Sequence, residues 1–193
     1  LEFRPAAPLK PNMLYTAEFF ISQLMDMPDS LKTFRFQFRT RKQALELEVD
    51  NHKAYDPANL MWEKISGTLR TADVADPAKV QQLITARQDG RKLPVTVFAD
   101  ARRMKFAFTV DSVRRGNTTG VVEISAVGGL IGADETPRTT VEIPAISEFA
   151  LTGVRVTQSP EQAVDVQFSD PLLLDQTLEG LIQLGDLANL RFV

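Results

Sequence analysis

Short segments of alternating apolar and polar residues dominate this chain. The segment 32–49, KTFRFQFRTRKQALELEV, holds two of them, one with phenylalanine at every second position from Phe34 to Phe38 and one running from Leu45 to Val49. A period of two is typical of a strand with one face in a core and the other in water. The connector 40–43 contains no Gly, Pro, Asn or Asp, the residues that shape tight hairpin turns. We therefore predict that the first strand ends one domain and the second begins the next.

Similar segments recur along the whole chain at the spacing of a sandwich or barrel. They predict strands at 14–22, 32–39, 43–50, 65–71, 92–98, 103–110, 119–126, 138–143, 149–157, 162–168 and 188–193. Asp89-Gly90 and Ser159-Pro160 are turn signals between strands. Helical signal is sparse, with one short helix predicted at 77–84, capped by Asp76. The predicted fold class is all-β.

Two partial internal repeats organise these strands. Segment 76–84 matches 174–182 at an offset of 182 − 84 = 98 residues, and the strand from Tyr15 resembles the strand from Val121 at 121 − 15 = 106. A repeat of about 100 residues has the size of an immunoglobulin-like sandwich. The repeats predict tandem immunoglobulin-like β-sandwiches, one complete and two partial, cut from a longer array.

The predicted domains are the C-terminal strands of a first unit at 1–40, a complete unit at 41–147 and the N-terminal strands of a third at 148–193. A partial unit has too few strands to bury its apolar face. We therefore expect the two partial units to pack on each other, within one chain or between chains.

Composition narrows the function. The 193 residues carry a net charge of −3, which gives no long-range attraction for nucleic acid. No apolar run approaches the roughly 18 residues of a membrane helix, so no direct membrane insertion of this segment is expected. The absence of cysteine excludes disulfides, thiolate zinc sites and a cysteine nucleophile from this chain. No secretory leader is visible in the sequence, and the opening Leu-Glu-Phe resembles a cloning remnant.

Three motifs carry a resemblance to a known family. They are LKPNMLY at 9–15, VDVQFSDPL at 164–172 followed by LEGLI at 178–182, and, more loosely, GTLRTAD followed by VQQLI. This pattern resembles the N-terminal macroglobulin-type (immunoglobulin-like) domains of bacterial alpha-2-macroglobulin-like proteins, which are large envelope lipoproteins. In the middle unit Thr119 or Gly120 stands where the motif has tyrosine.

The resemblance implies a non-catalytic scaffold segment of a protease-trapping protein in the cell envelope or periplasm, or secreted. Its partners would be neighbouring immunoglobulin-like domains and, through other regions of the full protein, a target protease. Such proteins can carry a Cys–Gln thioester, which cannot lie in a chain without cysteine. No catalytic residue, cofactor or metal is expected here.

Isolated polar residues offer weak catalytic or metal-binding signals. His52, the single histidine, sits in DNHKAYD and is predicted to lie in a solvated loop, since a metal site there would need Asp50 or Asp56 as partners. Carboxylates recur with the repeat at Asp73, Asp76, Asp170 and Asp175. Calcium ligation is one reading, and turn and helix-cap chemistry is the one we favour. Basic residues near Arg103 and Arg115 are predicted to form a solvated face.

A candidate interface lies in segment 51–64, predicted to be a long loop. It contains His52, Tyr55 and Trp62, and tryptophan is enriched at binding hot spots, although Trp62 could instead cap the core. Tyr15 is predicted to form a tyrosine corner, in which its hydroxyl bonds upstream backbone, with Pro11 fixing the preceding turn.

Two further functions stay open beside the scaffold. One is a protein- or glycan-binding adhesion module that uses the 51–64 segment. The other is an accessory domain of a secreted enzyme.

Overall fold

The structure is a computed structural model that describes residues 2, 4–28, 30, 32–173 and the isolated positions 175, 177, 178, 180 and 185. Antiparallel β-sheet dominates these residues, as predicted for an all-β fold. The predicted strand 188–193 and most of the segment 174–182 lie outside the described residues. In the described part of the chain, no helix is long and apolar enough to cross a membrane.

Twelve strands and one α-helix make up the regular structure of the described residues. The strands are β1 (Leu14–Phe20), β2 (Thr33–Arg39), β3 (Leu45–Asp56), β4 (Asn59–Thr71), β5 (Ile84–Gln88), β6 (Arg91–Leu93), β7 (Val95–Ala99), β8 (Lys105–Arg114), β9 (Gly120–Ala126), β10 (Arg138–Ile143), β11 (Leu151–Thr157) and β12 (Ala163–Phe168). The helix is α1 (Pro77–Leu83), and Asp76 caps it by accepting a hydrogen bond from the Ala78 N–H at 3.0 Å, as predicted.

The strand predictions differ from the structure in three places. The predicted strand 92–98 is broken at Pro94, which has no N–H to donate to the sheet. Strand β5 was missed because it follows α1 directly, with no turn residue between them. The predicted loop 51–64 is wrong, because β3 and β4 continue through it and are joined by a short turn at Pro57-Ala58.

Strands β3 to β10 form a two-layer sandwich. One sheet has the order β3-β4-β8-β7 and the other β10-β9-β5-β6. Alternate residues of both sheets meet in a single core, in which Phe106 and Phe108 of β8 and Ile124 of β9 are almost completely buried. Each such side chain contributes about 1.5–3 kcal/mol by leaving water. The helix α1 adds Val80 and Leu83 to the same core.

The remaining strands form two separate two-stranded sheets, β1–β2 and β11–β12. Because β2 pairs with β1 while β3 pairs with β4, the prediction that segments 32–39 and 43–50 do not form a hairpin is confirmed. Among the described residues the two small sheets are not hydrogen-bonded to each other. The domain boundaries stay predictions.

Candidate functional site

A buried cluster of ionisable side chains lies where the sandwich meets the β11–β12 sheet. It consists of His52 on β3, Glu63 on β4, Arg115 just after β8 and Asp170 just after β12. The Arg115 and Glu63 side chains are completely buried, and His52 is almost so. Since a buried charge is costly unless it is paired and hydrogen-bonded, the geometry of this cluster decides whether it stabilises the fold.

Arg115 occupies the centre of this cluster, which forms the joint between the sandwich and the β11–β12 sheet. Its Nε donates to the Pro144 carbonyl at 3.1 Å, and its Nη2 donates to the carbonyls of Ala145 at 2.7 Å and Glu148 at 2.9 Å. Its Nη1 donates to Oδ1 of Asp170 at 2.8 Å. The guanidinium therefore holds the connecting segment 144–148 and the end of β12 against the sandwich.

The inner side of the cluster consists of two side-chain contacts within the sandwich, His52 with Glu63 and Glu63 with Arg115. His52 Nδ1 lies 2.6 Å from Oε2 of Glu63, and Oε1 of Glu63 lies 3.3 Å from Nε of Arg115. That second contact is an ion contact without hydrogen-bond geometry, because Oε1 of Glu63 has no hydrogen-bond partner among the described residues. Glu63 thus depends on Arg115 for much of its charge compensation.

The sequence Phe168-Ser169-Asp170 supplies the outer side of the cluster. The Ser169 hydroxyl donates to Oδ2 of Asp170 and accepts from the Ala150 N–H at 3.0 Å. Partial burial works to raise the pKa of Asp170, but hydrogen bonds from Arg115 and Ser169 and the Arg115 charge outweigh it, so this pKa lies below its ordinary value. Asp170 is therefore held as a carboxylate against the arginine.

A second joint, of different chemistry, connects β2 to the sandwich. The buried amide of Gln43 brackets the backbone of Asp73, accepting from its N–H at 2.9 Å and donating to its carbonyl at 3.1 Å. Lys42 forms an ion pair with Asp134 at 3.0 Å on the surface beside it. Asp73 and Asp170 take equivalent places after β4 and β12, but their carboxylates differ in role. Oδ1 of Asp73 accepts from the Val74 N–H at 2.8 Å, which is the predicted turn chemistry, whereas the carboxylate of Asp170 is bound by Arg115.

The tip of the β3–β4 hairpin carries the other candidate site, an open pocket of about 280 Å³ lined by Tyr55, Asp56, Asn59, Trp62 and Ser112. Trp62 is 40% exposed and so does not cap the core. Apolar ring faces beside a carboxylate, an amide and a hydroxyl are typical of small binding pockets.

Contacts beneath the pocket fix the position of its tyrosine. The Tyr55 hydroxyl donates to Oδ1 of Asp111 at 2.6 Å, and this hydrogen bond raises the pKa of Tyr55. The Lys64 ammonium lies 4.9 Å from the centre of the Tyr55 ring. These two contacts hold the Tyr55 ring in place at the wall of the pocket.

Two predictions about candidate residues are wrong. His52 does not lie in a solvated loop, because β3 extends through it and turns it inward toward Glu63, so it has almost no surface to offer a partner. Arg115 does not belong to a solvated basic face. Regular alternation from Phe106, Phe108 and Val110 would place Arg114 inward, but the register shift at Ser112, whose φ is +61°, brings Val113 and Arg115 inward instead.

Other predicted residues have the expected surroundings. The Tyr15 hydroxyl accepts a hydrogen bond from the Lys10 N–H at 2.8 Å, the upstream backbone bond predicted for a tyrosine corner. Pro11 packs against Gly132, where an added Cβ would lie 2.5 Å from the proline Cγ. Among the described residues no group of three or more His, Asp or Glu side chains is arranged to hold a metal ion.

Comparison with known proteins gave no match: no protein-family model, no curated protein and no solved structure matches this chain.

Proposed function

We propose that this chain is a non-catalytic scaffold segment, built of tandem immunoglobulin-like units held in fixed orientation by buried joints. The observation that carries the proposal is the Arg115 cluster, in which one guanidinium binds three backbone carbonyls of the connecting segment and two carboxylates. A flexible tether between domains needs no such cluster, whereas a frame that keeps distant parts in register does.

The resemblance to macroglobulin-type domains indicates the kind of protein to which such a scaffold would belong. Its motif FSDP contains Asp170, which pairs with Arg115 in the joint, and Ser169, whose hydroxyl donates to Asp170. On this proposal the chain forms part of the frame of an alpha-2-macroglobulin-like protease-trapping envelope protein. The bait region and any thioester would belong to other parts of that protein.

A distance measurement across the joint tests the scaffold proposal. Spin labels on cysteines introduced at Glu123 of β9 and Arg155 of β11 report the spacing between the units, and the chain has no native cysteine to interfere. We expect one narrow distance distribution at neutral pH, measured by pulsed electron spin resonance. A broad distribution in the unmodified joint would contradict a rigid scaffold.

Acid should loosen the joint. Because the pKa of Asp170 is lowered in the folded chain, its contribution is present above the ordinary aspartate pKa and is lost as the pH falls through the lowered value. Asp170→Asn should broaden the distance distribution already at neutral pH. Asp165→Asn changes an exposed aspartate of β12 that does not contact Arg115, so it is the matched control and should leave the distribution narrow.

The hairpin pocket favours a second candidate, a protein- or glycan-binding module. Trp62 is the chain's one tryptophan, so its fluorescence reports the pocket directly. If the pocket binds glycan, soluble cello- or chito-oligosaccharides should shift its emission saturably, and Tyr55→Ala should weaken that response. If the Trp62 emission stays unchanged at millimolar oligosaccharide, the pocket does not bind these glycans.

A further inference from the structure

The β1–β2 sheet presents an apolar face that the described residues of the rest of the chain leave uncovered. Its register places Tyr15 opposite Phe38, Ala17 opposite Phe36 and Phe19 opposite Phe34, so all six side chains lie on one face. Phe34 is 57% exposed and Phe36 46%. A contiguous exposed aromatic face of this kind marks an interaction surface.

The β11–β12 sheet presents a second apolar face that no described residue covers. Its register pairs Leu151 with Phe168, Val154 with Val166 and Val156 with Val164, again on one face. Val154 is 58% exposed and Val156 60%. The other side of this sheet packs on β3, where Gly153 lies close to the Asp50 carbonyl, so the open face points away from the sandwich.

The internal repeat identifies which strands of the complete sandwich these two sheets correspond to. The registers fit a repeat of 105 residues, one fewer than the 106 predicted from the sequence: Tyr15 pairs with Phe38 as Gly120 pairs with Ile143, and 120 − 15 = 143 − 38 = 105. An offset of 106 would instead match Tyr15 with Val121, which is exposed. The β1–β2 pair therefore corresponds to β9–β10 in pairing and in face, and Ala17 and Phe36 correspond to the buried Val122 and Val141.

The β11–β12 pair corresponds in the same way to β3–β4. The Ser169 N–H donates to the Ala150 carbonyl at 2.9 Å, just as the Ala72 N–H donates to the Ala44 carbonyl at 3.1 Å. In the sandwich β3–β4 and β9–β10 lie in opposite sheets and share one core, with β3 packed against both β9 and β10. Each uncovered sheet therefore has the counterpart of its natural cover at the other end of the chain.

We propose that the β1–β2 face of one copy packs on the β11–β12 face of a second copy of this chain, head to tail. Each contact would rebuild the opposed strand pairs of a sandwich. Both faces are apolar, so their association is driven by burial of the aromatic and aliphatic side chains. The contact joins two different surfaces, so it leaves one face free at each end of a dimer and allows further copies to add.

This inference rests on the repeat that also supports the scaffold proposal, but it concerns contacts between chains. The joint experiment above is made within one chain, so either result can fail without the other. A chain that is monomeric with a narrow Glu123–Arg155 distance would overturn the assembly alone.

Two single-face variants test the proposal together. Phe36→Asp places a charge in the β1–β2 face, and Val154→Asp places one in the β11–β12 face. Sedimentation velocity of the unmodified chain should show mass above 21.5 kDa that rises with concentration. Each variant alone should stay at the monomer mass. Their equimolar mixture should form a dimer of twice that mass and nothing larger, because each variant keeps the one face that the other lacks.

Controls on the opposite faces separate specific packing from a charge effect. Gln37→Asp on β2 and Arg155→Asp on β11 alternate with the proposed contact residues and should assemble like the unmodified chain. Circular dichroism should show that all four variants keep the β-sheet signal. The proposal fails if the unmodified chain is monomeric at high concentration, if either face variant still assembles alone, or if the mixture stays monomeric.

Discussion

Replacing Arg115 by methionine is expected to lower the free energy of unfolding by about 3–5 kcal/mol, the range for removing one partner of a buried ion pair. Methionine fills similar space without charge, so the loss is electrostatic rather than a cavity. Glu63 would stay buried with its Oε1 uncompensated, and the carbonyls of Pro144, Ala145 and Glu148 would each lose one donor. Urea unfolding followed by circular dichroism measures the change.

The neighbouring arginine provides the control for this substitution. Arg114 is exposed, and its two hydrogen bonds with the Gln88 side chain involve only its backbone N–H and carbonyl. Arg114→Met should therefore change the unfolding free energy by less than about 0.5 kcal/mol, as surface substitutions do. If both variants lose the same stability, Arg115 is not the centre of the joint. If Arg115→Met does not fold, Asp170→Asn removes the outer contact alone and should give a smaller loss.

The regular parts of the fold could be predicted from the sequence because their cause is local. Alternation in β2 and β3 fixed their faces, and the helix at Pro77 followed from its cap and its proline. Strand β5 could not be found in this way, since it has only five residues, follows α1 without a turn residue and has its place set by pairing with β9. Sheet pairing over such separations lies outside any local window.

The buried cluster around Arg115 could not be predicted from the sequence for a related reason. Its members are distant in sequence, and each has an ordinary local reading: His52 as a loop residue, Arg115 as a surface base and Asp170 as a turn residue. Only the fold brings the three together, where pairing offsets the cost of burying them. Alternation along β8 gave no clue, because it places Arg114 inward, and only the register shift at Ser112 brings Arg115 inward instead.

The same reasoning explains why the packing of the two partial units on each other could be predicted from the sequence, while the strands of the sandwich to which each sheet corresponds could not. Alternation shows that Phe34, Phe36 and Phe38 line one face, but the register of β1 with β2 is needed to match that face to β9–β10. Register is a property of two strands and is fixed by both.

Gly67→Ala is expected to destabilise the sandwich by about 1–3 kcal/mol, the range for overpacking a core. A Cβ at this position would lie 2.2 Å from Cζ of Phe108 and 2.5 Å from the Glu48 carbonyl oxygen. Alanine in place of a strand glycine ordinarily gains about 0.5–1 kcal/mol through backbone entropy. Here the clash is larger than that gain, because Phe108 lies directly opposite Gly67 and is buried on all sides.

A matched glycine and a second-site change make this prediction specific. Gly129→Ala is the control, since an added Cβ there meets nothing within 4 Å, and it should be close to neutral in the same urea titration. Phe108→Leu replaces the ring that opposes Gly67 by a shorter side chain. The stability lost through Gly67→Ala should therefore be smaller in that background than in the unmodified chain. Additive losses would mean that the ring is not what the glycine accommodates, and the Glu48 backbone would then set the constraint.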